Sequence, residues 1–354
     1  MKELLNKFQL ASSAVSCERY GNGHINETYL VVCEDGRKYI LQKINHNIFK
    51  RPDLLMENVV AVCEHISKKV DDPRSSMTVI KTVDGKDYYK DENGCYWRVY
   101  DFITGSICLE KVENENDFYQ SAYGFGMFQR YLADFDASKL HETIVDFHNT
   151  PDRYRKFRKA VEEDKCGRVK DVMPEIEFAL KRENDARVCV DALAKGDIPL
   201  RVTHNDTKLN NVLLDEKTGK ALCVIDLDTV MPGLSVNDFG DSIRFGASSA
   251  AEDERDLSKV NFVPSLYKTY AEGFLAACGR SLTKNEIDLL PWGAKLMTLE
   301  CGVRFLTDYI EGDVYFRIKS PDHNLIRTRT QFKLVADMEE KWDEMYEILN
   351  NIEY

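Results

Sequence analysis

Three residues near the middle of the chain have the types and spacing that one kind of chemistry requires. Asp206 is followed by Asn211 five residues later, and Asp226 closes an apolar run further along. Transfer of a phosphoryl group from ATP uses one carboxylate to orient and deprotonate the acceptor hydroxyl. It also uses an amide oxygen and a second carboxylate to hold Mg²⁺ against the phosphates. The pattern predicts Asp206 as the catalytic base and Asn211 and Asp226 as the Mg²⁺ ligands. Asp228 is an alternative ligand, but Asp226 stands directly at the end of the run.

A hairpin is predicted to connect the two halves of this motif. Residues 213–215 lead to a turn at 218–220, and residues 221–225 form the return strand. A surface loop with chance Asp and Asn caps is the alternative interpretation. Because both halves occur in order, the motif resembles the catalytic loop and metal site of the aminoglycoside phosphotransferase and choline kinase superfamily. In that superfamily H-x-D-x-x-x-x-N takes the place of the H-R-D-x-x-x-x-N of protein kinases.

Composition and charge argue against several other classes of protein. The 354 residues carry a net charge of −12, so a nucleic-acid partner is disfavoured because the phosphate backbone would be repelled. The ten cysteines are scattered without a C-x-x-C pair, which is typical of reduced thiols rather than of disulfides or zinc ligands. No run approaches the roughly 18 apolar residues that a membrane span needs. We therefore expect a globular protein of the cytoplasm with no membrane partner.

The type of predicted element changes part of the way along the chain. The first hundred residues carry strand and turn signals, with a hairpin of 26–32 and 38–44, a helix at 54–70, and strands at 77–82 and 95–102. From about residue 113 onward helical periods dominate. This order predicts an α+β, protein-kinase-like fold of two lobes. A small β-rich N-lobe, residues 1–102, would bind nucleotide, and a larger, mainly helical C-lobe, residues 103–354, would carry the catalytic loop and the metal site.

Two local features are predicted within the helical part. Thr283 and Glu286 form a capping box, and Pro291 is expected to break or kink the helix that starts there. A single last helix is expected to bury an apolar stripe in the core. The stripe consists of Phe332, Val335, Met338, Trp342, Met345 and Leu349.

A glycine-containing stretch before the first hairpin suits the phosphates of a nucleotide. Gly21 and Gly23 allow the backbone to approach phosphates closely and to direct N–H groups at them, although a plain turn would contain the same residues. The chain has no G-x-x-x-x-G-K-[ST] motif, which excludes a P-loop kinase as far as a motif can. The backbone from Asp101 to Ile103, in the connection between the lobes, is expected to bind the adenine edge.

A cation is also expected near the α- and β-phosphates, and Lys43 is the candidate. Strand alternation places Gln42 and Lys43 on opposite faces, and the pattern leaves open which of them points inward. Glu57 and Glu64 on the following helix are both candidates for the acidic partner of this cation.

Four segments together resemble the bacterial N-acetylhexosamine 1-kinases, which phosphorylate the anomeric hydroxyl of GlcNAc or GalNAc. The segments are residues 20–29, 201–211, 238–246, and 300–306 continued by 311–316. The resemblance covers nearly the whole chain and implies ATP and an N-acetylhexosamine as partners. It also implies that Asp206 is the base, that Asn211 and Asp226 bind the metal, and that His24, Arg304 and Tyr315 belong to a sugar pocket in the C-lobe.

Other interpretations of these residues stay open at this point. Arg304 lies in a mostly apolar helix, where an unpaired charge is costly, so a structural pair with Asp308 or Asp241 is an alternative to sugar binding. His24 is either a sugar contact or an ordinary loop residue. Asp241 is expected to brace the catalytic loop. A kinase of the same fold that acts on an amino alcohol or an aminoglycoside is the second functional hypothesis. A catalytically inactive, kinase-like binding module is the third.

Overall fold

The computed structural model describes residues 1–21, 25–112 and 114–354, and its largest sheet is formed by the first part of the chain. This six-stranded antiparallel sheet has the order β1-β2-β3-β6-β4, with β5 also paired to β6. Its strands are β1 (Ala14–Arg19), β2 (Glu27–Cys33), β3 (Lys38–Ile44), β4 (Val79–Ile80), β5 (Tyr89–Lys90) and β6 (Tyr96–Asp101).

Strand β1 is absent from the sequence-based expectation, because polar residues interrupt its apolar ones and the strand lies at the edge of the sheet. Its pairing with β2 changes the position of the glycine-containing stretch. Gly21 lies between two paired strands rather than before the first of them, and its φ of +72° is one that glycine adopts at little cost.

Two smaller sheets lie in the later part of the chain. One has the order β10-β9-β7, and the other pairs β11 with β8. Their strands are β7 (Ser106–Cys108), β8 (Arg201–Thr203), β9 (Val212–Asp215), β10 (Ala221–Val224) and β11 (Met231–Gly233). The hairpin predicted after residue 212 is thus the β9–β10 pair, and the catalytic motif lies between β8 and β9.

Helices make up about half of the chain. They are α1 (Lys2–Leu5), α2 (Pro52–Ser67), α3 (Glu115–Tyr131), α4 (Thr150–Glu163), α5 (Met173–Leu180), α6 (Val188–Lys195), α7 (Ser235–Gly246), α8 (Pro264–Cys278), α9 (Lys284–Asp288), α10 (Leu290–Glu311), α11 (His323–Glu340) and α12 (Trp342–Asn350). Within the described ranges, no helix combines the length and the apolar character that crossing a bilayer requires.

The predicted burial of the C-terminal stripe is confirmed, but the prediction that the stripe lies on a single helix is wrong. Phe332 and Met338 are core residues on α11, and Met345 and Leu349 are core residues on α12. The chain leaves helical geometry at Lys341, whose ammonium donates to the carbonyl of Phe262 (2.7 Å). The helical periodicity of the apolar residues therefore continues from α11 into α12, although the chain forms two separate helices.

The capping box of Thr283 and Glu286 is confirmed at the start of α9. Pro291 lies in the first turn of the separate helix α10, where its missing N–H costs no intrahelical hydrogen bond. The helix that begins at the capping box therefore breaks after Asp288, as predicted, and the proline starts a new helix without kinking it.

Two hydrophobic clusters determine how the sheet meets the helices. The larger one is formed by helices α3 to α12 and the small sheets. A second cluster joins Ile44 and Tyr100 of the large sheet and Val59 of α2 to Val202 and Leu227, which flank the catalytic motif. This shared cluster packs the sheet against the motif, so a site at their junction is held by both parts of the chain.

Candidate active site

The loop that carries Asp206 is held by the buried side chain of His204. The Asp206 N–H donates to His204 Nδ1 (3.3 Å), which leaves the ring proton on Nε2. His204 Nε2–H donates to the carbonyl of Ile225 (2.9 Å). The imidazole therefore connects the backbone of Asp206 to the residue that precedes Asp226.

Two acidic residues at the start of α7 support the same loop. The buried Asp238 carboxylate accepts from the backbone N–H of His204 (2.9 Å) and of Asn205 (2.8 Å), and from Gln129 (2.9 Å). Burial raises the pKa of Asp238, and these donors oppose the rise. Asp241 accepts from the backbone N–H of Thr207 (3.1 Å), as expected for a bracing residue. Sequence reasoning missed Asp238, although it lies one turn before Asp241 in the same segment.

We expect Asp238→Ala to lower the free energy of unfolding by about 2–4 kcal/mol, because it leaves several buried donors without an acceptor. Denaturant unfolding followed by circular dichroism measures this loss. Asp191→Ala, which removes an exposed carboxylate on α6, is the matched control. Unfolding midpoints that are equal for the two variants would contradict the bracing role of Asp238.

The Asp206 carboxylate has two neighbours. Asn211 Nδ2 donates to the Asp206 carbonyl (2.8 Å) and, over 3.3 Å, to Oδ2. The ammonium of Lys208 lies 2.7 Å from Oδ1. Desolvation would lower the pKa of Lys208, but the Asp206 charge outweighs it and the pKa is raised. Lys208 is a second residue that sequence reasoning missed, although it belongs to the motif and lies two positions after Asp206.

Asp226 lies at the end of the return strand, in the left-handed region with φ +61°. Burial raises the pKa of Asp226 to about 6; the Asp228 and Asp206 carboxylates add to this rise and the Arg98 guanidinium opposes it. Although many protein atoms surround the carboxylate, Asp226 as a residue is exposed to solvent. A carboxylate crowded by other carboxylates and still accessible is well suited to a divalent cation.

The oxygen donors at this position fit Mg²⁺. The Asn211 amide nitrogen is committed to Asp206, so its Oδ1 is the free acceptor, and Asp226 supplies a carboxylate. Mg²⁺ commonly takes one or two such protein oxygens and completes its ligands with phosphates and water. In the described part of the chain, no three His, Cys, Asp or Glu side chains surround a common metal position.

Asp228, the alternative metal ligand, is already engaged. One carboxylate oxygen lies 2.5 Å from the Arg98 guanidinium, and the other accepts from Asn26 Nδ2 (2.5 Å). The structure therefore favours Asp226 over Asp228 as the carboxylate that is free to bind a metal.

The structure does not bring Lys43 to the other candidates. Gln42 faces inward, where its side-chain oxygen accepts from Arg98 Nε (3.0 Å). Lys43 lies on the opposite face, with its ammonium 3.6 Å from Glu27 and 5.8 Å from the centre of the Trp97 ring. Alternation along β3 separates the two side chains, and the outward position corrects the expectation for Lys43.

Within residues 101–103, where the adenine edge is expected to bind, one backbone N–H has no acceptor among the described residues. The N–H of Asp101 donates to Thr78 (2.9 Å), and that of Phe102 donates to Lys38 (3.2 Å). Among the described residues no acceptor is paired with the Ile103 N–H. The other expected nucleotide contact at Gly23, like the expected sugar contact at His24, lies outside the described residues.

Arg304 faces aromatic rings rather than an acid. Its guanidinium lies 5.4–5.9 Å from the ring centres of Phe147, Tyr315 and Phe316. No carboxylate of the described residues lies within ion-pair distance of it. Asp308 instead accepts the backbone N–H groups of residues 314–316, and Asp241 pairs with Arg244. The structural pair considered for Arg304 is therefore not formed.

Arg304, Tyr315 and Phe316 line a cavity of about 220 Å³. One turn before Arg304, the buried Glu300 accepts from His148 (3.1 Å) and Thr150 (2.7 Å). Glu300 on α10 thus joins the helix of Arg304 to the start of α4.

Comparison with known proteins agrees with this geometry. Residues 16–275 match the phosphotransferase enzyme family. Among solved structures, the chain is similar to an aminoglycoside phosphotransferase from Alicyclobacillus acidocaldarius (12% identity, 99% of this chain and 97% of that one, TM-score 0.66). It is also similar to a microcompartment-associated aminopropanol kinase (14%, 97% and 97%, 0.60) and to an amicoumacin kinase in complex with AMP-PNP, Ca²⁺ and Ami (14%, 96% and 91%, 0.61).

At these identities the similar structures show the fold, and they confirm the predicted α+β kinase-like architecture. The family match covers well over half of the chain and includes the loop of Asp206, Asn211 and Asp226. On this match, the chain belongs to the phosphotransferase enzyme family.

Proposed function

We propose that the chain transfers the γ-phosphoryl group of ATP to the anomeric hydroxyl of an N-acetylhexosamine, GlcNAc or GalNAc, and so forms the sugar 1-phosphate in the cytoplasm. In this proposal residues 1–102 bind the nucleotide, with Gly21 and Gly23 at the phosphates and the backbone of Asp101 to Ile103 at the adenine. Residues 103–354 supply the reacting groups and the sugar pocket.

Asp206 is the base of this reaction. Its Oδ2, whose one contact among the described residues is a long one of 3.3 Å, accepts the proton of the sugar hydroxyl. The hydroxyl oxygen then bonds to the γ-phosphorus as the bond to the ADP oxygen breaks. The Lys208 ammonium remains paired with Oδ1 of Asp206, and its positive charge offsets the negative charge on the phosphoryl group being transferred. Asn211 and Asp226 would hold Mg²⁺, which neutralises phosphate charge when bound.

The choice of acceptor depends on what surrounds the Arg304 guanidinium. A guanidinium with no carboxylate of the described residues at ion-pair distance, set among aromatic rings beside a cavity, offers a rigid fork of donors to sugar hydroxyls. Tyr315, which is 72% exposed, can cover one face of a sugar, and His24 would complete the pocket.

An amino alcohol or aminoglycoside acceptor is the second candidate, because proteins of similar fold include an aminopropanol kinase. A cationic acceptor favours free acids or an aromatic cage. Three cations, Arg153, Lys156 and Arg304, line the cavity here against two acids, Asp308 and Glu311, and the Asp308 carboxylate is occupied by backbone donors. The charge of the pocket thus favours a neutral polyol.

A panel of acceptors tests the proposal. ATP consumption is measured with GlcNAc, GalNAc, ethanolamine, an aminoglycoside and no acceptor, and the product is identified by ³¹P NMR. We expect an α-linked 1-phosphate from the N-acetylhexosamines and no 6-phosphate. The methyl glycoside of GlcNAc, whose anomeric oxygen is blocked, should be inert. Turnover of that glycoside, or preference for an amine, would refute the proposal, and no turnover with any acceptor would favour a binding module.

Arg304→Lys is expected to lower kcat/KM for the sugar by about 10²-fold, because a single ammonium cannot reproduce the two-donor geometry. ATP affinity should change by less than about 3-fold. Steady-state kinetics with each substrate varied in turn separates these effects. The control is Arg155→Lys, an exposed residue on α4 that pairs with Asp152. A variant that unfolds, or sugar kinetics that stay unchanged, would make Arg304 structural.

A further inference from the structure

A buried ion pair joins the large sheet to the turn that follows Asp226. Arg98 lies on β6 with 1% of its surface exposed, and Asp228 lies in the turn with 4% exposed. Their closest side-chain atoms are 2.5 Å apart. The two residues belong to opposite sides of the junction between the sheet and the catalytic motif.

The sheet supplies the other contacts of this pair as well. Arg98 Nε and Nη2 both donate to the side-chain oxygen of Gln42 (3.0 and 2.8 Å), its cross-strand neighbour on β3. The second oxygen of Asp228 accepts from Asn26, whose own oxygen holds the N–H of Asn45 (2.9 Å). Every guanidinium nitrogen has a partner, so Arg98 acts through these neighbours and not by direct contact with a ligand.

No acid of α2 takes the place of Asp228 in this pair. Glu57 on α2 lies 2.7 Å from His141, and the α2 atom that Arg98 reaches is the sulfur of Met56 (3.8 Å). The inward cation of the sheet is therefore Arg98 rather than Lys43, and its acidic partner comes from the catalytic part of the chain.

This pairing has an electrostatic consequence for the neighbouring carboxylate. Asp226 and Asp228 are two residues apart, and two free carboxylates at this spacing would both attract a divalent cation. Arg98 and Asn26 occupy both oxygens of Asp228. Asp226 is left as the one carboxylate of the two that is open to solvent.

We propose that Arg98 is a positioning residue which neutralises Asp228 and thereby reserves Asp226 for the metal–nucleotide complex. The inference rests on the proposed phosphoryl transfer from ATP, but not on the identity of the acceptor. It predicts that the two members of the pair affect metal affinity in opposite directions. Loss of Arg98 uncovers a second negative charge beside the metal position, and loss of the Asp228 charge leaves a positive one there.

The test measures bound Mn²⁺ by electron paramagnetic resonance in the presence of AMP-PNP, without any acceptor. We expect Arg98→Gln to bind Mn²⁺ about 3- to 10-fold more tightly than the unaltered protein, and Asp228→Asn to bind it more weakly by a similar factor. The Mn²⁺ affinity of the double variant should lie within about 2-fold of that of the unaltered protein, because both charges are removed together. Arg98→Lys keeps the charge and should also stay close to the unaltered protein.

The control is Arg182→Gln, which breaks a partly buried arginine–carboxylate pair, with Glu339, away from the site. It should destabilise the protein without a change in Mn²⁺ affinity. If Arg98→Gln alone does not fold, the direction of its effect is measured in the double variant. Adding Arg98→Gln to Asp228→Asn should restore the affinity for Mn²⁺. Shifts in the same direction, or no shift in any folded variant, would overturn the proposal. Failure of the sugar assay alone would overturn only the choice of acceptor.

Discussion

Asp206→Asn is expected to lower kcat about 10²–10⁴-fold, because the amide keeps the shape of the side chain but does not accept a proton. The contact with Asn211 is compatible with the substitution, whereas Lys208 loses its ionic partner. Nucleotide affinity should change little, since the proposed role of Asp206 is to act on the acceptor. Initial rates under saturating ATP and sugar measure the loss.

Asp191→Asn is the matched control for this variant, because it neutralises an exposed carboxylate in a surface pair on α6. Its turnover should equal that of the unaltered protein. Near-normal turnover of Asp206→Asn, together with an inactive Asp226→Asn, would show that the base lies elsewhere.

Asp226→Ala is expected to lose activity by about 10³-fold or more, because the bound cation supplies several kcal/mol of charge stabilisation in the transition state. Unlike Asp206→Asn, this variant should also bind metal–nucleotide weakly. Calorimetric titration with AMP-PNP in the presence and absence of Mg²⁺ distinguishes the two variants. The affinity for AMP-PNP should depend on Mg²⁺ in the unaltered protein and much less in Asp226→Ala.

Excess chelator provides an independent check on the same residue. Activity of the unaltered protein should disappear with chelator and return when Mg²⁺ is restored. Full activity in excess chelator would refute the metal role of both Asn211 and Asp226.

Much of the candidate site depends on short-range information and was predictable for that reason. Asp206 and Asn211 belong to one loop, and the structure joins them by a hydrogen bond. The hairpin between Asn211 and Asp226 and the capping box at Thr283 are likewise local patterns. Turn residues, strand alternation and side-chain caps act over a few residues, so they can be recognised without knowledge of the packing.

The identity of the inward cation, Arg98, could not be predicted from local sequence patterns. The alternation of β3 separates Gln42 from Lys43 but does not say which face of the strand is buried. That choice depends on the packing of the sheet against the catalytic motif, which turns Gln42 and Arg98 toward Asp228. Arg98 itself has no motif around it, because its partner lies in another part of the chain.

The sequence by itself determined the phosphotransferase class of this protein and the residues proposed for its chemistry, since two carboxylates and an amide occur at recognisable spacings along a single loop and hairpin. The tertiary structure decided which charges surround that chemistry. It left Arg304 beside a cavity, with no acid of the described residues at ion-pair distance, and paired Asp228 with Arg98. The physical reason is that a charge inside a protein is stabilised by whatever the fold brings within a few ångströms, and residues that meet in this way are often far apart in the chain.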